Sequence, residues 1–229
     1  MTILRKLSFG ALLAATMLSS PSLFAEEQQN LKRIYCAGPS HSSIEQTTMQ
    51  EIANSLEKAG YITFLPQRDG IQSQQVAEQI QNSGHKETES KLIVAKAEFA
   101  LEVYQVVSRC DGIVANLMGD QPHDGAISEA AMAWSHKKPV VLYKAEGEKM
   151  SALVQGLSGF RVVRDVKNIP KEMYKASQFS KTQQSEIELP MIIQKGGLLW
   201  DSMSKIQAES ELEKNQQVAE LILKIFGKV

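Results

Sequence analysis

Among the carboxylates of this chain, Glu129 has the surroundings best suited to covalent chemistry. It lies in PHDGAISEAAMAW, residues 122–134. Gly125 permits a tight turn into a helix over Ala126–Lys137. Glu129 falls in about the first turn of that helix, where the dipole and free N–H groups favour an ionised carboxylate. Such a group can attack an electrophilic carbon and form a covalent intermediate. A surface glutamate held by the dipole is the ordinary alternative. The neighbours AISEAAMAW are almost all apolar, however, which puts Glu129 on a largely buried helix and favours a functional role. Just upstream, His123 or Asp124 could shuttle a proton or bind a sugar hydroxyl. Asp124 serves more simply as a helix cap, and the two roles are compatible. Tyr35 sits in the apolar run RIYCA. Strand alternation does not say which face it takes, but from the strand-end crevice its hydroxyl would reach Glu129. Ser40, Ser42 and Ser43 are either caps or part of an anion site at a helix N-terminus.

Other chemistries find little support. The chain has no GxGxxG and no GxxxxGK[ST], so dinucleotide and P-loop readings are weak. His41, His85, His123 and His136 are scattered and lack metal-ligand spacing. Neither a metal nor a cofactor is expected.

The elements that must position these residues alternate between strand and helix. Arg33–Ala37 reads as a first strand, broken by Gly38-Pro39. Ser42 and Glu45 form a capping-box pattern that opens a helix running to about Ala59. Gly60 ends it, and Tyr61–Leu65 is a second strand, parallel to the first through a right-handed crossover. Residues 67–89 are polar, with a helical patch near Ser73–Gln81, and suit a mobile flap over the site. Leu92–Val107 reads as a helix with Ile93, Ala97, Leu101, Tyr104 and Val107 on its apolar face. Gly112–Leu117 and Pro139–Tyr143 are short apolar runs suited to strands covered on both faces. A helix near Met150–Gln155 and a strand over Phe160–Val163 follow. Beyond Ile169-Pro170 the character shifts: residues 171–188 read as polar and loosely ordered, and a last helix spans about Ala208–Ile225. The fold class is α/β, a three-layer, flavodoxin-like or Rossmann-like parallel sheet flanked by helices. Ligands of such sheets bind beyond the carboxyl ends of the strands.

With 229 residues, 43% of them hydrophobic, and a formal net charge of −1, the chain can build one sizeable core. The charge gives no electrostatic case for nucleic acid or an anionic membrane surface. Arg5 and Lys6 precede an apolar run from Leu7 to Leu18, followed by Ser19–Ala25. This is the three-part form of a secretory signal peptide, cut between Ala25 and Glu26. It is short for a membrane span, which needs about 20 residues. The expected organisation is therefore a leader over 1–25, an α/β domain over 26–170 and a helical extension over 171–229 packing on it. The mature protein is expected to be secreted or periplasmic, without a membrane-spanning segment. Export permits disulfides, but Cys36 and Cys110 fall at opposite ends of neighbouring strands, beyond the roughly 7 Å Cα limit for a bridge. Both are expected to be free.

Several stretches, in order, resemble the nucleoside 2-deoxyribosyltransferases. They are IYCAGP at 34–39, GYITFLP at 60–66, ALEVYQVVSRCDGIVANL at 100–117, PHDGAISEAAMAW at 122–134, KPVVLY at 138–143 and LVQGLSGFRVV at 153–163. The resemblance implies a flavodoxin-like fold and base exchange on 2'-deoxyribonucleosides, with a free nucleobase as second substrate. It makes Glu129 the nucleophile towards C1' and Tyr35 the residue that orients it. It places Gly38, Glu102, Asn116, His123, Asp124 and Gly125 at the substrate, with Glu102 where the family usually has Asp. His123 stands where the family carries Asp, with Asp124 one position later. The family's Asn-containing loop, lent to a neighbouring subunit, has no counterpart in MSALVQGLSG. The resemblance also implies a homo-oligomer. Two alternatives remain: hydrolysis of 2'-deoxynucleoside 5'-monophosphates, with the serines after the first strand holding the phosphate, and non-catalytic binding of a nucleoside or nucleotide.

Overall fold

The computed structural model describes residues 33–118, 123–145, 150–182 and 188–226. The expected leader over 1–25 and part of the loop before Gly125 lie outside these residues. Five strands, β1 (Arg33–Ala37), β2 (Ile62–Phe64), β3 (Gly112–Asn116), β4 (Val140–Tyr143) and β5 (Val162–Val163), form one sheet in the order β2-β1-β3-β4-β5. Every neighbouring pair is parallel, which is the flavodoxin-like arrangement expected from the alternation of elements. The register sets Tyr35 beside Phe64 on one side and Ile113 on the other.

Side-chain alternation along β1 divides the core into two layers. Ile34 and Cys36 face one layer, with Val114, Val141 and Tyr143. Helix α1 (Ser43–Lys58) covers it with Met49, Ile52, Ala53 and Leu56, a spacing that puts all four on one helical stripe. Its N-terminus is the capping box anticipated from Ser42 and Glu45. Past its end, Gly60 takes a φ of +92°, a conformation open mainly to glycine.

Tyr35, Ala37, Ile113, Ala115 and Leu142 face the opposite layer. It is covered by helix α5 (Asp124–Ser135) and by a π-helical turn, Gln105–Arg109, that continues helix α4 (Glu87–Tyr104). Lys138 Nζ donates to the carbonyls of Val106 and Cys110, at 2.8 and 2.5 Å. The ammonium thereby satisfies carbonyls that the end of a helix leaves free.

Two expectations are corrected. Residues 171–182 of the polar stretch expected to be loosely ordered are helical: helix α7 runs over Ile169–Thr182 and buries Ile169, Met173, Ala176 and Ser177, while 183–187 lie outside the described residues. The helix packs on β3, β4 and α1. Pro170 stands in its first turn, where the missing N–H costs nothing, so the proline begins a helix. The second correction concerns α4. The stripe assigned to its core face is largely outside, with Ile93 39% and Tyr104 51% exposed. The buried residues are Ser90 and Val94, because this half of α4 packs on helix α3 (Ser73–Asn82) and only its C-terminal end meets the sheet. The remaining helices are α2 (Pro66–Asp69), α6 (Ala152–Gly156), α8 (Glu188–Met203) and α9 (Glu211–Phe226), of which α8 and α9 pack on each other. Among the described residues no helix is long and apolar enough to cross a membrane.

Cys36 and Cys110 are both buried and free. Burial pushes the Cys110 thiol up to about 11. Gly38, at the end of β1, is required by packing: a Cβ there would stand 2.4 Å from Met49 Sδ and 2.9 Å from Asn116 Cβ. The thioether end can swing aside, but the Asn116 Cβ is held by β3. Gly38→Ala is expected to lower unfolding stability by about 1–3 kcal/mol, read as a lower urea midpoint with unchanged slope.

Candidate active site

Three alanines bring α5 onto the sheet. Ala126, Ala130 and Ala133 recur at helical spacing and are all buried, and side chains this small let the helix lie close. Glu129, next to that stripe, meets Tyr35: the phenol hydroxyl donates to Glu129 Oε1 at 2.5 Å. Tyr35 has no exposed surface, and its ring stacks on Phe64 with centroids 5.5 Å apart. A nucleophile candidate from one helix and its hydrogen-bond donor from the central strand are thereby fixed against each other.

The electrostatics differ from the expectation. Glu129 is the sixth residue of α5, past the free N–H groups of the first turn, so the helix end does little for its charge. Burial dominates instead and pushes its carboxyl up to about 7; the Tyr35 hydrogen bond pulls it down and the charge of Glu102 pushes it further up. Burial, followed by the charge of Glu129, raises the Tyr35 phenol far above its usual range. The tyrosine therefore remains a donor, and the carboxyl titrates close to neutrality.

The other candidate residues fall into different settings. His123 is the residue before α5, its side chain caps nothing, and its Nε2 is hydrogen-bonded to the Met118 carbonyl. Asp124 is the first helical residue and exposed rather than the cap. Gly125 lies inside the first turn, and an added Cβ would meet open space, so no tight turn requires a glycine there. Asn116 is fully buried. Its Oδ1 accepts from the Met118 N–H at 3.0 Å and its Nδ2 points at Met49 Sδ. Its amide thus shapes the chain leaving β3. Gly38 sits beneath it, as described above.

Beyond β1 and β2 lies a cleft of about 600 Å³, walled by Ser40, Gln46, Gln50, Phe64, Gln67, Arg68, Gln72, Ser73, Glu98 and Glu102 among others. Tyr35 and Glu129 are not part of its wall. They adjoin it through Phe64, stacked on Tyr35, and through Glu102, whose charge is felt at Glu129. Burial, and then Glu98, raise the Glu102 carboxyl. Arg68 forms ion pairs with Glu57 and Asp69, each at 2.9 Å, and donates to Thr63 Oγ1 at 2.9 Å. The segment anticipated as a flap thus supplies one wall through Gln67, Arg68, Gln72 and Ser73. Glu98 escaped notice in the sequence, although it precedes Glu102 by one helical turn on the same face, and Ser73 Oγ donates to it. Among the described residues no His, Cys, Asp or Glu group could hold a metal ion.

A family profile described as nucleoside 2-deoxyribosyltransferase matches residues 34–216. The chain belongs to the nucleoside 2-deoxyribosyltransferase family. The family is one of pentosyltransferases, and this chain is an enzyme of that type. No match was found among curated proteins. The solved structures that resemble it include three of named source. One, a conserved protein from Enterococcus faecalis V583, is 19% identical, with 63% of this chain and 98% of that one covered at a TM-score of 0.48. Another, a 2-deoxyribosyltransferase from the psychrotolerant bacterium Bacillus psychrosaccharolyticus, is 16% identical, with 60% and 90% covered and a TM-score of 0.45. The third, a Clostridium botulinum CMP N-glycosidase, is 16% identical, with 65% and 98% covered and a TM-score of 0.36.

Proposed function

We propose that this family member cleaves the N-glycosidic bond of 2'-deoxyribonucleosides and passes the deoxyribose to another base through an ester on Glu129. One observation carries the reading: a half-buried carboxyl, pushed up to about 7, with one oxygen bound by the hydroxyl of a buried tyrosine. Tyr35 occupies Oε1, so Oε2 makes the attack. A bond forms between Oε2 and C1' while the C1'–N bond breaks, and its electron pair leaves with the base. Glu102, whose carboxyl is raised by burial, gives that base a proton. An incoming base then attacks C1' from the side the first one left, the ester bond breaks, and the proton lost by the new base returns to Glu102. Two displacements retain the anomeric configuration.

Family membership also supports a homo-oligomer. Residues 1–25 support action outside the cytoplasm.

The test is base exchange. The chain from Glu26 onward, incubated with one deoxynucleoside and a different free base, is expected to yield the second deoxynucleoside. Free deoxyribose as the sole sugar product means a hydrolase. Unchanged substrate under all conditions removes the proposed activity.

A further inference from the structure

The proposed cycle requires two carboxyl groups in one site to hold opposite protonation states. Glu129 must be ionised to attack, while Glu102 must still carry the proton that the departing base needs. Burial alone does not arrange this, because it raises both carboxyls. A further group must act on Glu102.

The wall of the cleft supplies one. Glu98 and Glu102 stand one turn apart on α4 and both line the cleft, a spacing that sets their side chains next to each other. From α3, which packs on α4, the Ser73 hydroxyl donates to Glu98 Oε1 and fixes that carboxylate in place. A like-charge pair at this spacing works against a helix even in water. In a half-buried wall the repulsion is stronger, because less solvent screens it. The nearby cations are engaged elsewhere. Among the described wall residues Arg68 is the one lysine or arginine, and it pairs with Glu57 and Asp69. Lys91 shares a second cavity, between α3 and α4, with Ser73 and Glu98, but pairs with Glu87 at 2.5 Å. From the other elements Glu102 is felt by Glu129 on α5 and Tyr35 on β1, neither of them a cation. After burial, the charge of Glu98 is what raises the Glu102 carboxyl.

We propose that Glu98 is a positioning residue for the general acid: its carboxylate, fixed by Ser73 one helical turn away, repels a second negative charge on the wall, so the proton stays on Glu102 until the base takes it. This rests on the proposed N-glycosidic activity and assigns the group that sustains its acid. As the C1'–N bond breaks, the proton passes from Glu102 to the departing base, and the proton of the incoming base later restores it. Glu98 exchanges no proton in the cycle. A protonated Glu102 also spares Glu129 the like charge that hinders its ionisation.

The experiment compares the unsubstituted chain with Glu98→Gln and Glu98→Asp. Glutamine keeps the shape and can still accept the Ser73 hydroxyl, so the contact between α3 and α4 is retained while the charge is gone. Aspartate returns the charge to the same turn. The first measurement needs no substrate: the carbon-13 shift of the Glu102 carboxyl is followed against pH, assigned by its absence from Glu102→Gln. In Glu98→Gln this titration is expected to move to lower pH, and in Glu98→Asp to lie closer to that of the unsubstituted chain. The second measurement is the ratio of kcat/KM at pH 8.5 to that at pH 6.5 for one deoxynucleoside. Earlier loss of the Glu102 proton is expected to lower this ratio about threefold or more in Glu98→Gln, and by less in Glu98→Asp. A purely structural effect of the substitution scales both pH values alike and leaves the ratio unmoved. The proposal is overturned by a Glu102 titration in Glu98→Gln that stays in place or moves to higher pH, by an unmoved ratio, or by an aspartate variant no closer to the unsubstituted chain than the glutamine one. Absence of turnover in the unsubstituted chain is instead a failure of the proposed activity, and the carboxyl titration then decides the role of Glu98 by itself.

Discussion

Glu129→Gln is expected to lower base exchange by at least about a thousandfold while leaving the fold intact. Glutamine has the same shape, and its amide oxygen can still accept the Tyr35 hydrogen bond, so no buried hydroxyl is orphaned. What it lacks is a carboxylate that can form an ester with C1'. Mass spectrometry of the enzyme quenched with a deoxynucleoside alone is expected to show one added deoxyribosyl group on the unsubstituted chain and none on Glu129→Gln. Retention of substantial transfer by the glutamine variant removes Glu129 from the chemistry. The same substitution carries a stability signature. In the folded state the carboxyl is raised from 4.5 to about 7 by burial, so between those values the folded chain holds a proton that the unfolded chain has released. The associated stability is complete below pH 4.5 and is lost as pH rises through about 7, on the order of 3 kcal/mol. Urea titrations at pH 5 and pH 8 are expected to show this fall in the unsubstituted chain and its loss in Glu129→Gln.

Tyr35→Phe is expected to act on the pH profile as well as on the rate. Attack requires the ionised carboxylate, so the ionisation of Glu129 makes kcat/KM of the unsubstituted chain climb with pH through about 7, and loss of the Glu102 proton that the leaving base needs bends the profile down again at higher pH. The Tyr35 hydrogen bond stabilises the ionised form and opposes burial. Its removal raises the Glu129 carboxyl further, and the acid limb moves to higher pH. Activity at pH 6 is expected to drop by about tenfold or more, with a smaller loss at pH 8.5. Phe keeps the stacking area against Phe64, so a change confined to packing would scale both pH values equally. An unshifted limb, or one moved to lower pH, contradicts the role assigned to the hydroxyl.

Much of the scaffold could be read along the chain because its causes are local. The capping box at Ser42 and Glu45, the stop at Gly60, and the apolar runs of β1, β3 and β4 depend on residues a few positions apart, and the structure has each of them. Sequence and structure part where a partner distant along the chain decides. The apolar stripe of α4 satisfies a helical period, but α3 packs on the adjoining face of Ser90 and Val94 and leaves Ile93 and Tyr104 outside. Helix α7 reads as polar because its buried positions are diluted by Lys, Glu, Ser and Gln, and Pro170 resembles a terminator until its place in the first turn is known.

By itself the sequence determined the alternation of strands and helices, the family, and the choice of Glu129 and Tyr35 as a pair worth testing. Those follow from spacing, residue type and the order of the motifs. Only the tertiary structure decided that Tyr35 turns toward α5, that the two side chains, 94 residues apart, share a hydrogen bond, and that burial rather than a helix end governs the carboxyl. The physical reason is that a charge's behaviour depends on what surrounds it in space. Sheet register and helix packing assemble those surroundings from segments that the linear order keeps apart.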